Sequence, residues 1–323
     1  MSGFLTRDFS SSFFGSGRSI AVTTPITLGS CVFWVSATRG LTLGTTPLAS
    51  GTTPPAVTIS GNLAQVVGLR IEITTGGGRG TAIFRWSVDG GTTYTSNVLT
   101  AATVTLGTTG IVVAFPNSTY TNNNVYLGKL AAWNNRANSS TSPTQAVAAN
   151  QPTLTWSDIN GQHAMTFTSP QFMAFPLLVA KPCTIFAIAK TTSNGSGGYA
   201  TIAAFGNAIG GAFMYAASGA GPTNNWGLYQ NGDAFSGQNI NTYKKITAII
   251  RNYNDVDLRT NGSSITRTTG VSAYAVPSVI AAGNADGSQN LEGGICELVA
   301  YSRVLTTAEC QIVETYLGNL YGL

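Results

Sequence analysis

GGICELVAYSRVLTTAECQIVETYLGNLYG, residues 293–322, holds two kinds of element in one line. From Gly293 to Arg303 apolar and β-branched residues crowd a short run, as a buried strand requires. Thr306-Thr307-Ala308-Glu309 then has the spacing of a capping box. The Thr306 hydroxyl accepts from the Glu309 N–H, and the Glu309 carboxylate reaches back to the Thr306 N–H. Beyond it Ile312, Val313, Tyr316, Leu317 and Leu320 recur at helical spacing and give one apolar stripe. Gly318 and Gly322 fall near the end of that stripe, where a left-handed cap is useful. The expected product is a final strand, with Glu297 hydrogen-bonded on it, followed by one short amphipathic helix laid against a sheet.

The text upstream is strand-dense. CTIFAIAK (183–190), YATIAAFG (199–206), GAFMYAA (211–217), WGLYQNG (226–232), KITAIIR (245–251), VDLRTNGSSI (256–265) and PSVIAAG (277–283) follow one another with Gly and Asn turns. Many short strands at such spacing imply a sandwich or jelly roll, not strands alternating with helices. The chain's ending, with its acidic strand residue Glu297, Tyr301, an Arg-Val-Leu turn and a capped helix rich in Tyr and Leu, closely resembles that of concanavalin A-like, laminin-G-like jelly rolls. Ala132-Trp133-Asn134, Thr144-Gln145-Ala146, Asn150-Gln151-Pro152-Thr153 and Asn160-Gly161-Gln162-His163-Ala164 resemble the opening strands of that family, and the Asn261-Gly262 turn resembles its hairpin. The resemblance covers residues 128–323 and implies the fold. It implies little about function, because this fold hosts lectins, glycoside hydrolases, adhesive modules and structural virion domains.

Residues 1–20 combine Gly, Ser and isolated aromatics without any period and read as an extended arm, either a frayed terminus or an anchoring segment whose Phe4, Phe9, Phe13 and Phe14 dock on a neighbouring subunit. Residues 21–127 read as a small β-sandwich for attachment. CVFWVSAT (31–38) is its clearest strand, and Pro54-Pro55 mark a linker or sharp corner. VVGLRIEITT and TAIFRWSV alternate about a hairpin at Asp89-Gly90-Gly91. The string SVDGGTTYT resembles sequences common in bacteriophage and prophage structural proteins, where a β-sandwich module precedes a larger domain. The whole is expected to be all-β: a small N-terminal β-sandwich, then a concanavalin A-like jelly-roll sandwich with one C-terminal α-helix.

Only 28 of 323 residues are charged, about 9% against the ~25% usual in soluble domains. The apolar stretches are far too short to span a bilayer, so no membrane insertion is expected. Residues 1–20 lack the apolar core and cleavage site of a secretory leader. With 43% hydrophobic residues the chain is expected to fold rather than stay disordered. The net charge of +4 is scattered, with Lys244-Lys245 the one adjacent basic pair, so no nucleic acid is expected as a partner. Cys31, Cys183, Cys296 and Cys310 form no CxxC and read as free core thiols, one disulfide among them remaining open.

Chemistry is sparse. Glycoside hydrolysis needs two flanking carboxylates, and no Glu-x-Asp-x-x-Glu string occurs. Asp255 and Asp257 are the nearest pair. They read as solvated hairpin residues, with a calcium site including Asn254 as the weaker reading and catalysis the weakest. Asp233, Asn284 and Asp286 read as turn residues that would be further calcium candidates. His163, the sole histidine, reads as non-catalytic, and Gly76-Gly77-Gly78 as a hairpin loop. Trp226, Tyr229, Asn224, Asn225 and Asn231 form the best candidate carbohydrate cluster, competing with a core reading for Trp226. The expectation is therefore a non-enzymatic structural protein of a phage virion, made in the host cytoplasm. It would be a capsid decoration, head fibre or tail-associated component, homo-oligomeric and bound to other virion proteins, without an obligatory cofactor. A carbohydrate-binding adhesin for host-surface glycan is the alternative, and a polysaccharide hydrolase the weaker one.

Overall fold

The computed structural model describes residues 24–64, 68–177, 179–193, 199–206, 212–217, 225–229, 233–252, 255–267, 278–284 and 286–323. They form an all-β sandwich fold, and the single α-helix among them is Thr307–Tyr321. The largest sheet is antiparallel. Its order is Thr153–Ile159, Gln162–Phe167, Gly293–Tyr301, Cys183–Thr191, Lys244–Ile250, Val256–Thr260 and Ser263–Arg267. A six-stranded sheet built around Tyr199–Phe205 shares a core with it: Ala187, Ala189 and Leu298 from one side cluster with Ile202, Phe205 and Trp226 from the other.

The final strand organises the large sheet because both its edges are used. One edge pairs with Cys183–Thr191 along nearly its whole length. The other is divided: Gly293 to Ile295 pair with Gln162–Phe167, and Glu297 to Tyr301 pair with Cys31–Ser36. The strand expected to lead the N-terminal sandwich is thus a member of the large C-terminal sheet. Leu41–Leu43 likewise pairs with Leu130–Trp133, so the expected division at residues 127 and 128 is crossed twice. The cause lies in the side chains of CVFWVS. Phe33 and Val35 enter the inter-sheet core, while Trp34 enters a second core under the helix. A strand apolar on both faces is stable only inside a sheet covered on both sides.

Between these segments lies a smaller sandwich. A five-stranded sheet, ordered Leu48–Ser50, Val125–Leu127, Arg70–Thr75, Ile83–Ser87 and Thr95–Leu99, accompanies a three-stranded one of Thr58–Gly61, Ile111–Ala114 and Val104–Thr105. Ile71, Ile73 and Phe84 of the first cluster with Ile59, Ile111 and Val113 of the second. The expected turn at Asp89 is present. The Asp89 carboxylate accepts from the Thr93 N–H at 2.9 Å and hydroxyl at 2.6 Å, and Gly90 and Gly91 take φ of 70° and 99°.

The helix forms as its sequence dictates. Thr306 and Glu309 make the reciprocal cap, and Gly322 closes the end at φ 67°. Val313, Leu317 and Tyr321 bury against Phe186, Ile249, Val299 and Tyr301 on the outer face of the large sheet. Ile312, placed on the stripe by spacing, is instead exposed.

Candidate functional site

The helix covers only part of that outer face. Past Cys296, where its cover ends, the cross-strand row runs Thr166, Gly294, Lys190. A side chain at Gly294 would collide with the Tyr243 hydroxyl, and one at Gly293 with the Lys190 carbonyl. The two glycines thus let the Tyr243 hydroxyl and the Lys190 backbone pack closely, and their backbone lines the bottom of a trough of about 400 Å³. Its walls carry the hydroxyls of Thr155, Thr166, Thr168 and Thr192, with Asp158, Lys190 and Glu292 as the charged groups.

The polar groups are held in place by one another. Lys190 Nζ lies 3.0 Å from Asp158 Oδ2 and 3.2 Å from Oδ1, and it sits 4.5 Å above the Tyr243 ring. Tyr243 Oη donates to Asp158 Oδ2 at 2.5 Å. Burial, with the Cys296 thiol and the Asp158 carboxylate beside it, holds the Tyr243 phenol well above its ordinary range, so it stays protonated as that donor. The result is a carboxylate with fixed orientation, flanked by an ammonium. Thr155 and Thr166 share a hydrogen bond of 2.5 Å across neighbouring strands. Hydroxyls that both donate and accept, beside one oriented acceptor and one donor cation, match the hydrogen-bonding pattern of a polyhydroxylated ligand.

A second hollow of about 260 Å³ lies across the edge strand Thr153–Ile159. Trp156 projects there against Gly68 and Gly90, both of which lack the Cβ that would strike the indole. His163 stacks on Trp156 at 3.8 Å and accepts the Ser157 N–H at Nδ1, 3.2 Å away. Burial pushes its imidazole pKa down, and the ring is engaged in packing. Thr155 borders both hollows.

The residues singled out from sequence fall elsewhere. Trp226 is only 1% exposed and packs in the inter-sheet core, so its ring offers no face to a sugar. Its Asn- and Gly-rich surroundings suggest exposure, but its position on Asn225–Tyr229 turns it inward. Asn225 is half-buried. The Tyr229 side chain, Asn224 and Asn231 lie outside the described residues, as do Phe4, Phe9, Phe13, Phe14 and Asn254. Asp255 and Asp257 do converge, but on Arg251, whose guanidinium binds them at 2.8 and 2.6 Å where a cation would sit. Among the described residues no group of three or more His, Cys, Asp or Glu side chains is arranged to hold a metal. The trough residues Asp158, Lys190 and Glu292, and Tyr243 that holds Asp158, carry no sequence motif. Their one signal is Lys190, a cation ending the otherwise apolar run CTIFAIA.

No protein-family model matches the chain, and no curated protein does. Among solved structures, a Trypanosoma rangeli sialidase is similar over 84% of this chain and 62% of that one, at 9% identity and a TM-score of 0.34. The T. rangeli sialidase in complex with 2,3-difluoro-KDN is similar over 58% of this chain and 31% of its own, at 11% identity and 0.35. A beta-fructofuranosidase from Schwanniomyces occidentalis complexed with fructosyl-erythritol is similar over 81% and 59%, at 10% identity and 0.28. The chain thus spans less than two thirds of each. Likeness this low assigns neither activity nor substrate. The expectation that the chain is not an enzyme is withdrawn, the solved structures named above being a sialidase and a beta-fructofuranosidase, and no activity is assigned in its place. The ground for that expectation also fails physically. It counted carboxylates in strings, whereas the trough collects Asp158 and Glu292 from distant parts of the chain.

Proposed function

We propose that this chain is a carbohydrate-binding protein and that the trough over Gly293-Gly294 is its saccharide site. The observation that carries the reading is the lining: four threonine hydroxyls around an Asp158 carboxylate fixed by Lys190 and Tyr243. In this reading the threonines exchange hydrogen bonds with sugar hydroxyls, Asp158 accepts one, and the glycine floor and threonine methyls meet the C–H faces of the ring. The setting we propose rests on sequence resemblance alone. It is a concanavalin A-like module displayed in several copies on a phage particle, where weak single-site affinity becomes useful avidity.

A broad glycan array probed with the full chain tests the binding reading. Binding to a defined saccharide, weakened at least about tenfold by Thr166→Val and by Asp158→Asn, is the expected outcome, since the first removes a hydroxyl and the second turns one acceptor oxygen into a donor and weakens the hold of Lys190. A folded chain that binds no glycan, or whose binding ignores both substitutions, would refute it. Detection of the chain in purified particles tests the setting separately, and its absence there would remove the virion proposal without touching the trough.

A further inference from the structure

We infer that the trough selects uncharged saccharides and rejects acidic ones, an inference that rests on the carbohydrate reading of the same site. A pocket made for a carboxylated or sulfated sugar needs a cation whose charge is available to the ligand. Among the described residues the one cation in this lining is Lys190, and its charge is already taken. Its ammonium lies within 3.0–3.2 Å of both Asp158 oxygens and over the Tyr243 ring. No arginine is among the described residues that line the trough. The third charged group is Glu292, for which the described residues provide no salt bridge, so the described lining carries one negative charge.

Geometry keeps this arrangement from rearranging around an anion. For Lys190 to turn towards a ligand carboxylate it would have to leave Asp158, whose partly buried charge would then face an incoming like charge with only the Tyr243 hydroxyl beside it. Tyr243 cannot take over the ammonium's role, because its hydroxyl already donates to Asp158 at 2.5 Å. The Gly294 floor also lies directly under that hydroxyl, which fixes Tyr243 against the sheet. An anionic sugar would thus meet two carboxylates and a committed lysine, whereas a neutral one meets hydroxyls with spare hydrogen-bonding capacity.

The test is titration of the full chain with neutral gluco-, galacto- and manno-oligosaccharides, and with hexuronate and sialylated oligosaccharides of the same length, at low and high salt. Neutral ligands are expected to bind at least about tenfold more tightly than acidic ones, with little salt dependence, and added salt should narrow the gap by screening the repulsion. Glu292→Lys reverses the sign of the uncompensated group and should shift the neutral-to-acidic ratio about tenfold or more towards acidic ligands. Tighter binding of acidic ligands by the unmodified chain, lost in Thr166→Val, would overturn the selectivity while leaving the trough as the site. Binding of neither class, or binding indifferent to Thr166→Val, would overturn the trough reading and the selectivity with it. Circular dichroism of each variant separates misfolding from lost recognition.

Discussion

Glu297 shows how a single residue in this chain can join three segments. It is fully buried on the final strand and accepts from Trp34 Nε1 at 2.5 Å and from the Tyr321 hydroxyl at 2.6 Å. Trp34 comes from the first described strand and Tyr321 from the end of the helix, and Arg136 lies 3.6 Å above the indole. Glu297→Ala strands two buried donors and should cost about 3 kcal/mol, visible as a lower denaturant midpoint, whereas Glu297→Gln keeps one acceptor and should cost less. Burial raises the Glu297 pKa above its usual 4.5. The folded state therefore holds this proton more tightly than the unfolded one. Its contribution is complete below the unfolded value and declines as pH rises through the folded one. The stability of Glu297→Gln relative to the parent should accordingly improve between pH 4 and pH 7, and parallel pH profiles would contradict this. The thiols make a simpler case. Burial pushes Cys31 and Cys183 up to about 12, Cys310 to about 11 and Cys296 higher still, and all four are free. A thiol reagent at pH 8 should label none of them at an appreciable rate until denaturant is added, and rapid labelling of the native chain would show that the packing around them opens.

At the scale of the element, the C-terminal helix depends on its entrance. Thr306 caps the Glu309 N–H, the Glu309 carboxylate returns to the Thr306 N–H at 2.8 Å, and Arg303 grips the same carboxylate at 2.6 and 2.9 Å. Arg303 first, then the Thr306 backbone and hydroxyl, hold the Glu309 pKa down to about 2. A depressed carboxyl stabilises the fold above its unfolded pKa and loses that effect as pH falls towards the folded value, here between about 4.5 and 2. Thr306→Ala should cost about 1 kcal/mol, with Thr306→Ser nearly neutral, in chemical denaturation at neutral pH; equal losses would mean that the hydroxyl is not the cap. This element, Ile312 apart, was legible in the sequence because its signals are local: a four-residue box, a periodic stripe and a terminal glycine. Ile312 departs from the stripe because the sheet beneath accommodates Val313, Leu317 and Tyr321 and leaves its side to solvent. The hairpin at Asp89 was legible for the same reason. The trough was not. Thr166, Gly294 and Lys190 become neighbours only through the register of three strands far apart in sequence, and no local pattern encodes that register. Trp226 fails in the opposite direction, since local text of turn formers says nothing about the sheet packed over it.

For the whole molecule, the consequence of that register is that the first described segment, from Pro25 to Ser36, is stitched to the C-terminal strand and the turn after it. Cys31–Ser36 lies against Glu297 to Tyr301, the Tyr301 hydroxyl donates to the Pro25 carbonyl at 2.8 Å, and Arg303 reaches the Leu28 carbonyl at 3.2 Å. Residues 128–323, though they carry the jelly-roll resemblance, lack the strand that seats Phe33, Trp34 and Val35. Each such side chain stabilises a fold by about 1.5–3 kcal/mol when fully buried. Losing three of them, with the backbone pairing of Glu297 to Tyr301, removes an amount comparable to the ~5–15 kcal/mol net stability of a typical domain. The fragment 128–323 should therefore lack a cooperative thermal transition and the near-ultraviolet dichroism of packed tryptophans. A circularly permuted or fused version that restores residues 24–43 beside the final strand should recover both. The intact chain should melt in one calorimetric transition, because the small sandwich shares its apolar cluster with the large one, from Ile71 and Phe84 through Leu43 and Leu130 to Phe33 and Leu298. A fragment 128–323 that melts cooperatively at the temperature of the intact chain would show that the strand is an accessory to the sheet rather than part of its core.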